Sequence, residues 1–412
     1  MTLRILHTSD WHLGHTLHDL PRTEEHAAFL AWLLGALDEH AVDALLVAGD
    51  VFDTANPSAE AQAQFHRFLV AAKARRPSLD IVVIGGNHDS AARLDATAPI
   101  LDELGVHVVG GLPSNDEASR ARLVVPLRDA EGAVAAWAIA VPFLRPADLP
   151  YIDEGDALVE GVRTVYGSAL ELARTKRSQG QALVAMGHCY MTGSSLSELS
   201  ERRILGGNQH ALPVDVFPHD LAYVALGHLH LAQRVGGREN VRYAGSPIPL
   251  SIDEERYEHQ VVLAELEGEG VRSIERLFVP RTVPILRVPS GEPRSYDELE
   301  PELHALSPRD PSRPDWQRPY LEVHIRLDTP DPSLRAKVEA ALEGKDARLV
   351  RLRLSLTGSG AALGDTEKLV SLVDLSPEQV FLKRYERDHA SAPDVSLLDA
   401  FAELEASARE ER

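Results

Sequence analysis

Five short polar motifs, each set directly behind an apolar run, constrain this chain more than any other feature. They are Ser9-Asp10-Trp11-His12, Ala48-Gly49-Asp50-Val51-Phe52-Asp53, Gly85-Gly86-Asn87-His88-Asp89, Met186-Gly187-His188 and Leu226-Gly227-His228-Leu229-His230. The runs before them, at Leu3 to Thr8, Ala44 to Ala48, Ile81 to Ile84, Ala182 to Met186 and Leu221 to Leu226, read as buried strands. Between the first three, Glu24 to His40 carries Phe29, Leu33, Leu34 and Leu37 at helical spacing, and Ala59 to Ala74 reads as a second helix. Strand–helix units of this length predict parallel pairing with helices covering the sheet. The carboxyl ends of such strands share one edge, where ligands bind, so the five motifs are expected to meet in one crevice. A glycine before the polar residue in four of them lets the backbone turn out of the strand.

Further along, Leu123 to Pro126 and Ala136 to Val141 flank a turn at Asp129 to Gly132, which predicts a hairpin. A helix follows over Ala157 to Arg177, with β segments at Val241 to Ala244, Val261 to Ala264 and Val271 to Val279. The fold expected is α/β, two packed sheets with flanking helices, over residues 1–280. Near Pro280 prolines become frequent, yet strands persist at Ile285 to Val288, Tyr320 to Leu327 and Arg348 to Leu356, with a helix at Ser333 to Leu342. Residues 281–357 therefore read as a small α+β domain. Thr357-Gly358-Ser359-Gly360 breaks the pattern, and residues 358–412 read as a charged, helix-prone tail.

The residue types in the motifs form a coherent chemical set. Asp10, His12, Asp50, Asn87, His188, His228 and His230 offer only oxygen and imidazole nitrogen donors. Such donors suit Mn²⁺, Fe²⁺ or Zn²⁺ better than Mg²⁺, which prefers an all-oxygen shell. Seven ligands are too many for one such ion and suit two that share a bridging carboxylate. Two divalent ions bring a charge of about +4, of which two carboxylates cancel about two; the remainder can hold a phosphate. Singly, a histidine at a strand end or a D-x-H triplet is an ordinary core or surface feature. Five motifs in order, each behind a strand, are not.

Charge bears on the partner. The net charge of −21, from 63 acidic against 42 basic residues, repels nucleic acid over a screening length of ~8–10 Å. A cationic pocket inside an acidic protein implies a partner subunit that supplies much of the grip on a nucleic acid. No apolar run reaches the ~18 residues that span a bilayer, and Met1 to His7 lacks the apolar core of a signal peptide. The single cysteine, Cys189, excludes an internal disulfide framework and fits a reducing cytoplasm. It reads as a small buried side chain beside His188 rather than a ligand. His7, His15 and His18 read as solvated or supporting residues, and His210, His219 and His259 carry no assignment.

The ordered D-x-H, G-D-x-x-D, G-N-H-D, G-H and G-H-x-H blocks resemble the calcineurin-like metallophosphoesterase superfamily. Within it, Ile5 to Gly14, Val47 to Thr54, Pro142-Phe143-Leu144-Arg145-Pro146 and Tyr243 to Ser251 resemble the bacterial SbcD family, nuclease subunits of SbcC–SbcD complexes related to the Mre-type nucleases. The similarity is dense over residues 1–255 and returns at Leu375 to Phe381. The resemblance implies that Asp10, His12 and His230 hold one metal, that Asn87, His188 and His228 hold a second, and that Asp50 bridges both. It makes His88 the catalytic histidine and Asp53 the carboxylate that orients it. It also implies Mn²⁺ as the metal and DNA as the substrate, cut by 3′ to 5′ exonuclease action on duplex ends and endonuclease action on single strands and hairpins. The partner it implies is an SbcC-type ATPase subunit, bound through the tail, where Val380, Phe381, Leu382 and Tyr385 form an apolar stripe. A homodimer within a heterotetramer is the implied assembly, and 281–357 the implied DNA-contacting cap, where Arg348, Arg351 and Arg353 alternate along a strand. Two other readings compete: a small-molecule phosphodiesterase or phosphatase with the same metal site, and a scaffold that tethers the ATPase to DNA ends.

Overall fold

The apolar runs ahead of the motifs lie inside two six-stranded sheets of the computed structural model. It describes residues 2–114, 117–153, 155–195 and 211–356, with Arg384, Tyr385 and Leu397 beyond them. The first sheet is ordered Gly270–Phe278, Gln260–Glu267, Thr2–Thr8, Ala44–Ala48, Asp80–Ile84, Val106–Val109. Its last four strands are parallel, as the strand–helix alternation predicts, and Gln260–Glu267 runs antiparallel against the first. The second sheet is ordered Gln233–Val235, Arg238–Tyr243, Tyr223–Gly227, Ala182–His188, Val134–Ala140, Val124–Arg128. Its four inner strands are parallel, and the hairpin expected around Asp129 supplies one antiparallel edge.

Register brings the motifs level. Thr8 lies opposite Val47 and Ala48 opposite Ile84, while Gly227 lies opposite His188 in the other sheet. Both faces of the first sheet are covered, which is why its strands read as continuous apolar runs instead of alternating ones. Leu3, Ile5, Ala44, Leu46 and Ala48 share one core with Ala138, Val184, Met186, Val224 and Leu226 of the second sheet. Leu6, Leu45, Val47, Ile81 and Val83 share another with Phe29, Leu33 and Leu37 of the helix Thr23–Glu39 and Phe65, Phe68 and Leu69 of the helix Ala59–Arg75. Trp11, between the first two predicted ligands, anchors this second core. Its ring meets Phe29, Phe65 and Phe68 edge-on at 5.8, 6.4 and 5.3 Å, and its Nε1 donates to Thr8 Oγ1 at 2.9 Å. The first motif is thereby fixed by packing on one side and ligand geometry on the other.

Ile285–Val288, Tyr320–Leu327 and Arg348–Leu356 form a third, three-stranded sheet, joined by the helices Tyr296–His304 and Leu334–Ala341. The first of these helices begins at a Ser295–Glu298 capping box and contains Pro301, so proline frequency concealed it in the sequence. Among the described residues, 2–325 and 332–354 make up one compact unit, and 326–331 with 355–356 belong to a second. Within the first unit Tyr320 donates its hydroxyl to Glu25, which also pairs with the buried Arg22. The tail stripe at Val380, Phe381 and Leu382 lies outside the described residues. Among those described, no helix is long and apolar enough to cross a membrane.

Candidate metal centre

The motifs leave their strands at the common edge and hold one another. Asp10 N donates to Gly49 O and His12 N to Asp50 O, both at 3.0 Å, so the first loop is pinned to the second. Asp10 accepts from Ser9 Oγ at 2.5 Å and from His228 N at 2.9 Å, which ties the first motif to the fifth. Asp50 Oδ1 accepts from His88 N at 2.9 Å, and its Oδ2 lies 3.5 Å from His12 Nε2 and 3.4 Å from His188 Nε2. Asn87 Oδ1 lies 3.0 Å from His188 Nε2 and 2.9 Å from His228 Nδ1. The rings of His12 and His230 are 5.3 Å apart, as are those of His188 and His228. All seven predicted ligands meet, with Asp50 at the centre. Three sets within the cluster, Asp10–His12–His230, His12–Asp50–His88 and Asp10–Asp50–His188, have ligand atoms within 4.8 Å of one another.

This convergence bends the backbone. Asp10, His12, Asp50 and His228 have φ of +53°, +46°, +49° and +107°, a region that costs a side-chain-bearing residue about 1–3 kcal/mol and persists only where its surroundings over-determine it. Gly49, at φ +87°, turns the chain out of its strand, and a Cβ there would lie 2.3 Å from His188 Nδ1. At Gly227 a Cβ would lie 1.9 Å from Ala48 O, because the two sheets meet backbone to backbone at this point.

The donor set fits a cation. His188 Nδ1 sits 2.9 Å from Ala48 O; a carbonyl only accepts, so Nδ1 carries the proton. In the neutral ring His188 Nε2 would turn its lone pair toward two acceptors, Asn87 Oδ1 and Asp50 Oδ2, an opposition that a positive charge, a proton or a metal ion, relieves. Electrostatics agree: burial disfavours a charge on His188, yet Asp50 and then Asp10 raise its pKa to about 9. Both ring nitrogens of His12 are buried without a hydrogen bond. Although burial works against its charge, Asp50 is held far below the usual carboxylate range by His188, His12 and His88. Burial raises Asp10 and, helped by His188, lowers His228 to about 3. Lone pairs so concentrated, with few protons to satisfy them, are the donor chemistry of a divalent metal.

Two supporting carboxylates carried no assignment in the sequence. Asp89 accepts from Gly86 N at 2.9 Å, Phe52 N at 2.9 Å and Val51 N at 3.1 Å, clamping the second and third motifs together. Burial and then Asp50 push its pKa up to about 6. Glu254 is fully buried; it accepts from His230 Nδ1 at 2.9 Å and from Leu250 N at 2.7 Å. Burial opposes its charge, but His230 and the Leu250 amide bring its pKa to about 2. Asp89 sits inside a motif and was there to be found, whereas Glu254 lies in the 3₁₀ turn Ile252–Arg256, which has no signature.

Other expectations need adjustment. His88 meets Asp53 through its backbone: Nδ1 donates to Asp53 O at 2.8 Å. The Asp53 carboxylate instead lies 3.3 Å from His12 Nδ1. Pairing of Phe52 and Asp53 with Leu13 fixes the segment in this orientation. His7 is not solvated; its Nε2 donates to Leu226 O at 3.1 Å, its Nδ1 accepts from Tyr223 at 3.0 Å, and burial lowers its pKa to about 3. Cys189 belongs to none of the three ligand sets, and burial pushes its thiol up to about 12. On the strand Arg348–Leu356, Arg348 donates to Trp316 O and Arg318 O over the Tyr320 ring, and Arg351 binds Asp253. Two of the three arginines are thus engaged within the protein, and Arg348 and Arg351, three residues apart, face opposite sides of the strand.

Known proteins resemble the chain along the same lines. Residues 3–232 match the calcineurin-like phosphoesterase family, and residues 281–389 match a family described as the type 5 capsule protein repressor C-terminal domain. The chain is 44% identical to the SbcD subunit of the SbcCD nuclease of Rhodobacter capsulatus, over 86% of its length and 87% of that protein's. It is 35% identical to the SbcD subunit of the Escherichia coli K12 SbcCD nuclease, covering 93% of this chain and 92% of the relative. With the corresponding SbcCD nuclease subunit of Bacillus subtilis it shares 29% identity over 99% of both.

Proposed function

Because this chain belongs to the calcineurin-like phosphoesterases and, within them, to the SbcD subunits of SbcCD nucleases, we propose that it is the DNA-cutting half of a complex with an SbcC-type ATPase. It is a metal-dependent phosphodiester hydrolase, and its work is DNA end processing in repair and recombination. The finer reading has two ions, Mn²⁺ in the cell. Asp10, His12 and His230 would hold one, Asn87, His188 and His228 the other, and Asp50 would serve as the ligand common to the two sets. In this reading the chain acts in the cytoplasm as a homodimer within a heterotetramer. It cuts duplex ends 3′ to 5′ and opens single strands and hairpins. Residues 281–357 form its cap and 358–412 its ATPase-binding tail.

The observation that carries this reading is the convergence of seven donor residues, Asp50 among them, from five strand ends. Bound divalent ions supply Lewis-acid stabilisation of the charge that builds on a phosphate during in-line displacement. The chain's own residues do the rest. His88 N, donating to Asp50 Oδ1, holds the third motif against the second. With His88 Nδ1 committed to Asp53 O, Nε2 is the atom left for proton transfer. A protonated His88 delivers that proton to the leaving oxygen, a step worth about 10²–10⁴-fold in rate when well placed. Asp50, buried and held far below the usual carboxylate range, keeps negative charge in the pocket so that bound cations are retained.

A substrate panel tests the assignment. The purified chain with Mn²⁺, alone and with its ATPase partner, is offered linear duplex, hairpin DNA and cyclic nucleotides. DNA cleavage well above cyclic-nucleotide hydrolysis is the expected ranking. The reverse ranking makes the chain a small-molecule phosphodiesterase, and no hydrolysis of either makes it a tether.

A further inference from the structure

We propose that Glu254 is a positioning residue for His230, and that Arg287 and Arg351 of the third sheet hold it in place through Asp253. The proposal rests on the reading of His230 as a metal ligand.

Glu254 commits both of its oxygens. Oε1 accepts from His230 Nδ1 at 2.9 Å; Oε2 accepts from Leu250 N at 2.7 Å and lies 3.5 Å from Ser246 Oγ. A carboxylate buried this deeply is costly unless fully paired, and the ring it pairs with is that of His230. By fixing the proton on Nδ1 it turns the Nε2 lone pair of His230 toward Asp10 and His12, the role a carboxylate plays behind a metal-binding histidine.

The residues on either side of Glu254 face the third sheet. Asp253 accepts from Arg351 Nη2 at 3.0 Å, Arg351 Nη1 at 3.2 Å and Arg287 Nη2 at 3.2 Å. Arg287 Nη2 also donates to Ile252 O at 2.8 Å, and its Nε lies 3.3 Å from Glu255 Oε2. Glu322 pairs with both arginines from the central strand of that sheet. A two-pronged arginine contact fixes direction as well as distance. Asp253, Glu254 and Glu255 share one 3₁₀ turn, started by Ser251 Oγ accepting from Asp253 N at 3.2 Å. A turn this short cannot shift Asp253 without shifting Glu254.

His188, by contrast, is oriented by Ala48 O of the first sheet. The arrangement therefore couples the third sheet to one side of the metal centre. Whatever binds or displaces that sheet is felt at His230 first.

The test is Mn²⁺ titration of the metal-stripped full-length chain, followed by calorimetry and by the electron paramagnetic resonance of the bound ions. Glu254→Gln is expected to weaken one of two Mn²⁺ sites by about 10–100-fold and leave the other unchanged. Arg351→Gln is expected to weaken the same site several-fold, Arg351→Lys to restore part of the loss, and Glu254→Gln with Arg351→Gln to be no weaker than Glu254→Gln alone. If Glu254→Gln fails to fold, Arg351→Gln and Arg287→Gln carry the test, since both leave the buried carboxylate in place. Lowered thermal stability with both Mn²⁺ affinities unchanged would overturn the proposal, as would equal weakening of both sites. His230→Ala separates the two levels. If it keeps both ions, the ligand reading fails; if it loses one while Glu254→Gln and Arg351→Gln keep both, only the positioning link fails.

Discussion

His88 and Asp53 are joined through a backbone oxygen: the imidazole Nδ1 lies 2.8 Å from Asp53 O, while the Asp53 carboxylate faces His12 at 3.3 Å. Since any residue at position 53 presents a carbonyl, Asp53→Ala is expected to leave His88 oriented. Its loss falls on His12, whose Nδ1 loses the carboxylate beside it. The expected phenotype is weaker Mn²⁺ binding by several-fold with less than about a 10-fold fall in kcat at saturating metal, against about 10²–10⁴ for loss of a proton donor. Steady-state kinetics at graded Mn²⁺ distinguish the two.

His88→Ala should behave oppositely. Its ring supplies the proton in the proposed mechanism, while its backbone N–H, which holds Asp50 Oδ1, survives the substitution. Turnover is expected to fall by about 10²–10⁴-fold with the Mn²⁺ content unchanged by elemental analysis. Loss of metal would return His88 to the ligand set, where its proximity to His12 and Asp50 also allows it.

Gly227→Ala probes how the sheets meet. The added methyl would lie 1.9 Å from Ala48 O and 2.9 Å from His188 Nδ1, and neither a mid-sheet carbonyl nor a pinned ring can yield. Overpacking of this kind costs about 1–3 kcal/mol. Urea denaturation should show that loss, together with weaker Mn²⁺ binding because His188 is displaced.

His7 sets part of the acid limit. Burial lowers its folded pKa to about 3, against about 6.5 in the unfolded chain. Below about pH 6.5 the unfolded state takes up a proton that the folded state refuses, so stability falls as pH drops from about 6.5 toward about 3. From this group alone the loss between pH 7 and pH 5 is about 2 kcal/mol. His7→Gln, which can still donate to Leu226 O, is expected to flatten that limb in denaturation curves at the two pH values. An unchanged slope would assign the acid sensitivity elsewhere.

The catalytic core was legible because its signal is local. An apolar run followed at once by Gly-Asp or Gly-His marks a strand end, and strand ends in such sheets share an edge. Asp10, Asp50 and His188 could thus be grouped across 178 residues of chain from the motifs alone. Glu254 could not, because its partner His230 is reached through a short turn with no motif. Asp53 illustrates a finer limit: the residue lies beside His88, but sequence does not say which of its oxygens makes the contact. Arg348 and Arg351 are three residues apart and so point to opposite faces of their strand, and only the fold brings the Trp316 and Arg318 carbonyls against the one and Asp253 against the other. His7 reads in the sequence as a solvated or supporting residue, yet strand pairing places it between the sheets, bonded to Tyr223 and Leu226 O.

Anomalous diffraction at the manganese edge from Mn²⁺-loaded crystals of the full chain tests directly whether Asp50 lies between two ions. Two peaks about 3.5–4 Å apart, both within bonding distance of Asp50, with Asn87 and His188 on one and His12 and His230 on the other, are the predicted result. A single peak, or a pair of which Asp50 touches neither, would rule out a shared two-ion site.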